Sequence, residues 1–182
     1  MNLPNKLTVL RVLMIPVFVL FMLVDIFGNV DKVIALVIFI LASLTDMLDG
    51  KIARKYNLVT NFGKFMDPLA DKLLVSSALI CLSGSKIPIW IVIVIISREF
   101  IISGFRLVAA DNGVVIAAGI WGKLKTAVTM VMIPVVILDL PFFAYSILEQ
   151  ILIYASLILT VISLVVYLVD NKQVLSEDNT NK

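Results

Sequence analysis

Long apolar runs separated by short polar turns divide the chain into six stretches, about Leu7–Phe27, Val33–Ala53, Phe65–Gly84, Ile87–Ala110, Trp121–Leu140 and Ile147–Val169. Each is near the ~20 residues that a helix needs to cross a ~30 Å hydrocarbon core. The pattern predicts an all-α, polytopic membrane protein: six transmembrane helices forming one domain over residues 1–170. Residues 171–182 read as a polar, disordered tail. Lys6 and Arg11 ahead of an apolar run resemble a signal peptide, but no small-x-small cleavage site follows, so the first stretch reads as a retained helix. Pro16 and Pro134, inside two of the stretches, are expected to kink them.

Composition removes the main alternatives. Hydrophobic residues make up 61% of the chain and charged residues 15%, with a mean hydropathy of +1.09, against roughly 45–50% and about 25% in soluble domains. A water-soluble globule is excluded. The absence of histidine removes Ser-His-Asp hydrolysis and His-ligated zinc. A single cysteine, Cys81, removes an internal disulfide and a Cys-rich metal site. A net charge of +2 gives no footprint for nucleic acid. Placing both termini in the cytoplasm leaves only Lys32 and Lys86 of the 15 basic residues on the far side. That asymmetry satisfies the positive-inside rule and predicts a multi-pass protein of the inner, cytoplasmic membrane.

The charge-free parts of five spans, Val12–Val24, Val33–Thr45, Leu73–Ser85, Ile87–Ser97 and Thr126–Leu138, are shorter than the spans themselves. At ~1.5 Å per residue they cover only about 20 Å or less. Only Gln150–Val169 runs uninterrupted. Ionisable groups do not face lipid cheaply, so the charged cytoplasmic ends are expected to line a shared, water-accessible polar cavity.

Two spans bring acids to that cavity. Asp46 and Asp49 are i,i+3 near the end of the second and share a face with Gly50 and Ala53, while Asp67 and Asp71 are i,i+4 at the start of the third. A short turn makes the two helices antiparallel neighbours, so four carboxylates converge. At that depth they need cations. All-oxygen ligation favours Mg²⁺, Mn²⁺ or Ca²⁺, and two divalent ions balance four negative charges. Gly50 and Ala53 leave room for a flat or extended ligand, and Arg54 and Lys64 suit phosphate. The bland alternative is a solvated charge network with Lys51, Arg54, Lys64 and Lys72, although such a network needs no small residues on the carboxylate face.

These residues read D-x-x-D-G-x-x-A-R, eight residues, G-x-x-x-D-x-x-x-D, with all defining positions filled by Asp46, Asp49, Gly50, Ala53, Arg54, Gly63, Asp67 and Asp71. The pattern resembles the signature of the CDP-alcohol phosphatidyltransferase family. The resemblance implies a six-helix membrane enzyme, usually a homodimer, that uses divalent metal to transfer a phosphatidyl group from a CDP-linked lipid to an alcohol and releases CMP. Asn2-Leu3-Pro4-Asn5 with Leu7-Thr8 and Arg11, Ser97-Arg98-Glu99-Phe100 with Ser103-Gly104 and Arg106, and Gly122-Lys123-Leu124-Lys125-Thr126 resemble one branch, the phosphatidylglycerophosphate synthases. That branch implies CDP-diacylglycerol as donor and glycerol 3-phosphate as acceptor.

The cations favour the same acceptor on physical grounds. Arg98 and Arg106 lie eight apart on one helix face, Lys123 and Lys125 open the next helix, and with Thr8 and Arg11 they form a basic wall opposite the acidic one. A dianionic acceptor phosphate needs such a wall and a neutral alcohol does not. As ordinary positive-inside anchors, the same cations would instead bind membrane-lipid headgroups. Glu99 is placed to neutralise Arg98 or Arg106, and Trp90 and Trp121 read as interfacial belt residues.

In the implied mechanism Asp46, Asp49 and Asp67 hold two Mg²⁺ or Mn²⁺ ions, and Asp71 is general base, metal ligand or both. Gly50, Ala53 and Gly63 admit the cytidine, and Arg54 its phosphates. Within the family the rival is a metal-dependent cardiolipin synthase or another transferase with a different acceptor; the phospholipase-D-like cardiolipin synthases need histidine and are excluded. A divalent-cation transporter needs a polar path to both sides, which the outward ends of the spans do not offer. A purely structural membrane protein explains neither set of charges.

Overall fold

A computed structural model describes residues 2–28, 30–55, 60–111, 113, 116, 117 and 119–172, with side chains apart from those of Leu3, residues 47–55, Asn61, Lys64 and Asp111. Helices and the turns between them account for these residues: α1 (Leu3–Leu23), α2 (Val30–Lys55), α3 (Asn61–Leu82), α4 (Ile89–Asp111), α5 (Ile120–Leu138) and α6 (Phe143–Asp170). Three of them, α1, α5 and α6, are long and apolar enough to cross a membrane. The expected tail lies, from residue 173 onward, outside the described residues.

Capping moves the helix ends away from the hydropathy boundaries. Helix α1 starts four residues ahead of the apolar run because the Asn2 side chain caps it by accepting from the Asn5 N–H, with proline tolerated in the first turn. It ends at Leu23 rather than Phe27. The following turn is held by Asp31, whose Oδ2 accepts from the N–H groups of Ile26 and Phe27 at 2.8 Å each. Thr60 caps α3 through the Gly63 N–H, so Gly63 lies inside the first turn rather than ahead of the helix. Helix α5 stops at Leu138, leaving Asp139 beyond it at φ +46°. Both α1 and α5 run through their prolines, as α3 does through Pro68.

The described residues of 1–87 and 133–146 form one compact unit, and those of 88–132 and 147–172 a second. In the first, α1 packs on α2 and α3. Its core combines small, aliphatic and aromatic side chains: Ala35, Phe39 and Ala42 on α2 and Ala70, Leu74 and Ala78 on α3 are buried at helical spacing. Phe18 meets Phe39 with ring centroids 5.9 Å apart. At one end of this unit Lys32 and Lys86, the two basic residues expected outside, both pair with Asp139.

The second unit is built differently. Ile91, Ile95 and Ile102 of α4 and Met132 of α5 are buried, but so are Arg98, Lys125, Thr129, Ser156, Thr160 and Ser163. Helix α6 exposes Ile151, Ile158, Val161, Val165 and Val169 while burying hydroxyls. Apolar outside and polar inside is the arrangement that lipid, not water, stabilises.

Candidate functional site

In the first unit, α1 is the element that organises the carboxylates. Asn5, Thr8 and Arg11 share its buried face. Arg11 Nη1 donates to Asp46 Oδ1 at 2.6 Å and its Nε to the Ala42 carbonyl at 3.2 Å. The Arg11 side chain is fully buried while that of Asp46 is 38% exposed, so the carboxylate, not its partner, is the group a ligand reaches. Thr8 Oγ1 lies 2.6 Å from Asp67 Oδ1 and 3.1 Å from the Pro4 carbonyl. A hydroxyl has one proton, and the shorter, charge-assisted bond to Asp67 takes it. Asn5 Oδ1 in turn accepts from Thr60 Oγ1 at 2.9 Å. The sequence reading assigned Thr8 and Arg11 to acceptor phosphate; the structure gives both carboxylate partners.

Gly63 leaves a cradle beside these groups. A Cβ added there would lie 3.3 Å from Asn5 Oδ1, 3.3 Å from Thr60 Oγ1 and 3.4 Å from Asp67 Oδ2. Oxygen donors with a small residue beside them suit a hard divalent cation. Among the described residues no three acidic groups gather tightly enough to hold a metal. The side chains of Asp49, Ala53, Arg54 and Lys64, and Gly50 with them, lie outside the described residues. Asp71 is half-buried one turn beyond Asp67 on α3.

The second unit contains a cavity of about 360 Å³, lined among others by Arg98, Arg106, Trp121, Gly122, Ser163 and Tyr167. That volume is at the lower end of small-molecule sites, ~300–1,000 Å³. Arg98 Nη1 donates to Glu99 Oε1 at 3.1 Å, and Lys125 Nζ reaches the same oxygen at 2.5 Å. Glu99 thus pairs with both Arg98 and Lys125 and offsets one of their two charges, a choice the spacing left open. With Arg106, and with Asp170 also lining the cavity, the region keeps one net positive charge. Gly122 permits the close approach of Arg98, since a Cβ there would lie 3.3 Å from Nη2. Of the four cations expected in this region, the two arginines line the cavity; Lys125 is buried against Glu99, and Lys123 is exposed on α5.

The sequence model of the CDP-alcohol phosphatidyltransferase family matches residues 1–162. The chain belongs to this family. It is 49% identical over 153 residues to the CDP-diacylglycerol--glycerol-3-phosphate 3-phosphatidyltransferase of Bacillus subtilis, covering 78% of this chain and 79% of that protein. It is 42% identical over 141 residues to the protein of the same name from Rickettsia typhi, covering 75% and 76%. A probable phosphatidylglycerophosphate synthase of Mycobacterium tuberculosis (strain H37Rv) is 43% identical over 145 residues, covering 76% and 67%.

In this CDP-alcohol phosphatidyltransferase family member, sequence reasoning missed the polar face of α6. Ser163 Oγ accepts from Arg98 Nε at 3.1 Å, and Tyr167 Oη from Arg106 Nε at 3.4 Å. The signal was present as hydroxyls at positions 156, 160, 163 and 167, a helical stripe within an apolar run.

Proposed function

We propose that this protein transfers the phosphatidyl group of CDP-diacylglycerol to glycerol 3-phosphate, giving phosphatidylglycerophosphate and CMP in phospholipid synthesis. The names of its relatives support the reaction. The observation that carries the reading is the pairing of two motif aspartates, Asp46 and Asp67, with buried donors on α1. Bonds of this kind from buried donors fix the orientation of a carboxylate, as the outer partners of metal-ligating groups do, and so support the reading.

A hydroxyl oxygen of the acceptor attacks the phosphorus that bears diacylglycerol, the bond from that phosphorus to the CMP oxygen breaks, and the hydroxyl proton passes to Asp71. Two Mg²⁺ or Mn²⁺ ions, held by Asp46, Asp49 and Asp67 with Asp71, would clamp the pyrophosphate and stabilise charge on the departing CMP. Arg54 and Lys64 hold the donor's phosphates, and Gly50, Ala53 and Gly63 leave space for its cytidine. Arg98 and Arg106 grip the acceptor's phosphate, Glu99 and Lys125 balance the charge behind them, and Lys123 adds positive potential. Thr8 and Arg11 hold the carboxylates.

In this reading the six helices cross the inner membrane as one catalytic domain in a homodimer, with both termini and the polar cavity on the cytoplasmic side. The inverted polarity of α6 and the meeting of Lys32 and Lys86 on Asp139 support that topology. The test is CMP release by the purified protein in lipid nanodiscs. Release requires CDP-diacylglycerol, glycerol 3-phosphate and Mg²⁺ together, and Asp46→Ala abolishes it while the helices still insert. Full turnover after exhaustive chelation would overturn the reading.

A further inference from the structure

Helix α6 carries the longest charge-free run in the chain, yet its buried residues are Ile153, Ser156, Thr160, Ser163 and Tyr167. Their alternating spacing of three and four puts them on one stripe. Two members of the stripe reach the cavity arginines, each through Nε. The Ser163 proton goes to the Thr160 carbonyl at 2.9 Å, which turns a lone pair toward Arg98 Nε at 3.1 Å. Tyr167 accepts from Arg106 Nε at 3.4 Å, and its ring centroid lies 5.6 Å from the guanidinium carbon. Phe105 braces that ring edge-on, at 5.6 Å and 79°. Anchoring at Nε fixes the plane of a guanidinium and turns its terminal nitrogens outward; Arg106 presents both to a phosphate, while Arg98, whose Nη1 donates to Glu99 at 3.1 Å, presents Nη2.

We propose that Ser163 and Tyr167 are positioning residues for acceptor recognition: they hold Arg98 and Arg106 in the orientation that grips the acceptor's phosphate. This rests on the reading of the two arginines as the acceptor site. A long arginine side chain ordered before the ligand arrives loses less freedom on binding, and the saving appears as affinity. Neither residue touches the donor lipid in this scheme. Their removal therefore weakens acceptor binding and leaves kcat at saturation, and the KM for CDP-diacylglycerol, unchanged.

The chain has two tryptophans, and Trp121 lines the cavity. A Trp90→Phe background makes Trp121 the sole reporter. Its fluorescence is titrated with glycerol 3-phosphate and with inorganic phosphate, using the full chain in nanodiscs, and the steady-state constants for both substrates are measured alongside. Ser163→Ala and Tyr167→Leu are each expected to raise the Kd and KM for glycerol 3-phosphate about three- to tenfold, the scale of one net intramolecular hydrogen bond. Ser163→Thr, which keeps the hydroxyl, restores the parent values. If Arg106→Ala weakens acceptor binding but Ser163→Ala and Tyr167→Leu do not, the positioning role is overturned and the acceptor site stands. If Arg106→Ala also binds glycerol 3-phosphate like the parent, the acceptor reading fails first and takes the inference with it. A parallel rise in KM for CDP-diacylglycerol would assign the two residues to general helix packing and overturn the proposal.

Discussion

Replacing Thr8 with valine removes one hydroxyl from a fully buried site and almost nothing else. The lost bond is the 2.6 Å contact to Asp67 Oδ1. A hydrogen bond to a charged group is worth ~1.5–3 kcal/mol, or roughly 10- to 150-fold in an equilibrium constant at 1.36 kcal/mol per factor of ten. Loss of an outer-layer partner of a metal-ligating group costs about 10–100-fold in metal affinity. The two ranges overlap, so Thr8→Val should raise the dissociation constant for Mn²⁺, read by electron paramagnetic resonance in nanodiscs, by about 10–100-fold. Excess Mg²⁺ should recover most of the CMP release, because Asp67 itself remains. The KM for glycerol 3-phosphate at saturating metal should not move. Metal affinity within twofold of the parent, with the acceptor KM raised instead, would return Thr8 to acceptor binding and refute the reasoning.

At Gly63 a methyl group would meet three oxygens at 3.3–3.4 Å; Gly63→Ala is expected to shift Asp67 and weaken Mn²⁺ binding without unfolding the protein, and a melting temperature that falls while metal affinity holds would contradict this. Asp71→Asn keeps the size but removes proton affinity, so turnover should fall roughly 10²–10⁴-fold and stay low as Mg²⁺ is raised; rescue by metal would make Asp71 chiefly a ligand. Beyond the end of α5, the hydrogen bond from Lys86 holds Asp139 below the ordinary carboxylate range, against partial burial and with Lys32 adding to the effect. A depressed folded-state pKa gives stability that is complete above the unfolded value near 3.8 and is lost as pH falls through the lower folded value. Acidification across that window should lower the melting temperature of the parent more than that of Asp139→Asn, and equal slopes would contradict the ion-pair account.

The carboxylate motif was legible because acids inside apolar runs are costly and therefore conspicuous, and their helical spacing names the shared face. The partners of those acids were not. Nothing in the spacing of Thr8 and Arg11 says that they meet carboxylates; the packing of α1 on α2 and α3 brings them to Asp67 and Asp46. Glu99 shows the same limit, since its pairing with Lys125 is made between α4 and α5. Serine and threonine barely interrupt a hydropathy profile, so α6 read as a plain span while its buried stripe carries the hydroxyls that hold Arg98 and Arg106. Helix starts shifted for a local reason: Asn2 and Thr60 cap turns that hydropathy does not register.

The choice of acceptor tests the central claim most directly. Purified protein in nanodiscs containing CDP-diacylglycerol and Mg²⁺ is given equal amounts of glycerol 3-phosphate, phosphatidylglycerol and inositol, and the lipid products are identified by mass spectrometry as CMP is released. The account predicts phosphatidylglycerophosphate as the dominant product, in step with CMP, and its loss in Arg106→Ala at limiting glycerol 3-phosphate. Cardiolipin or phosphatidylinositol as the dominant product would contradict it.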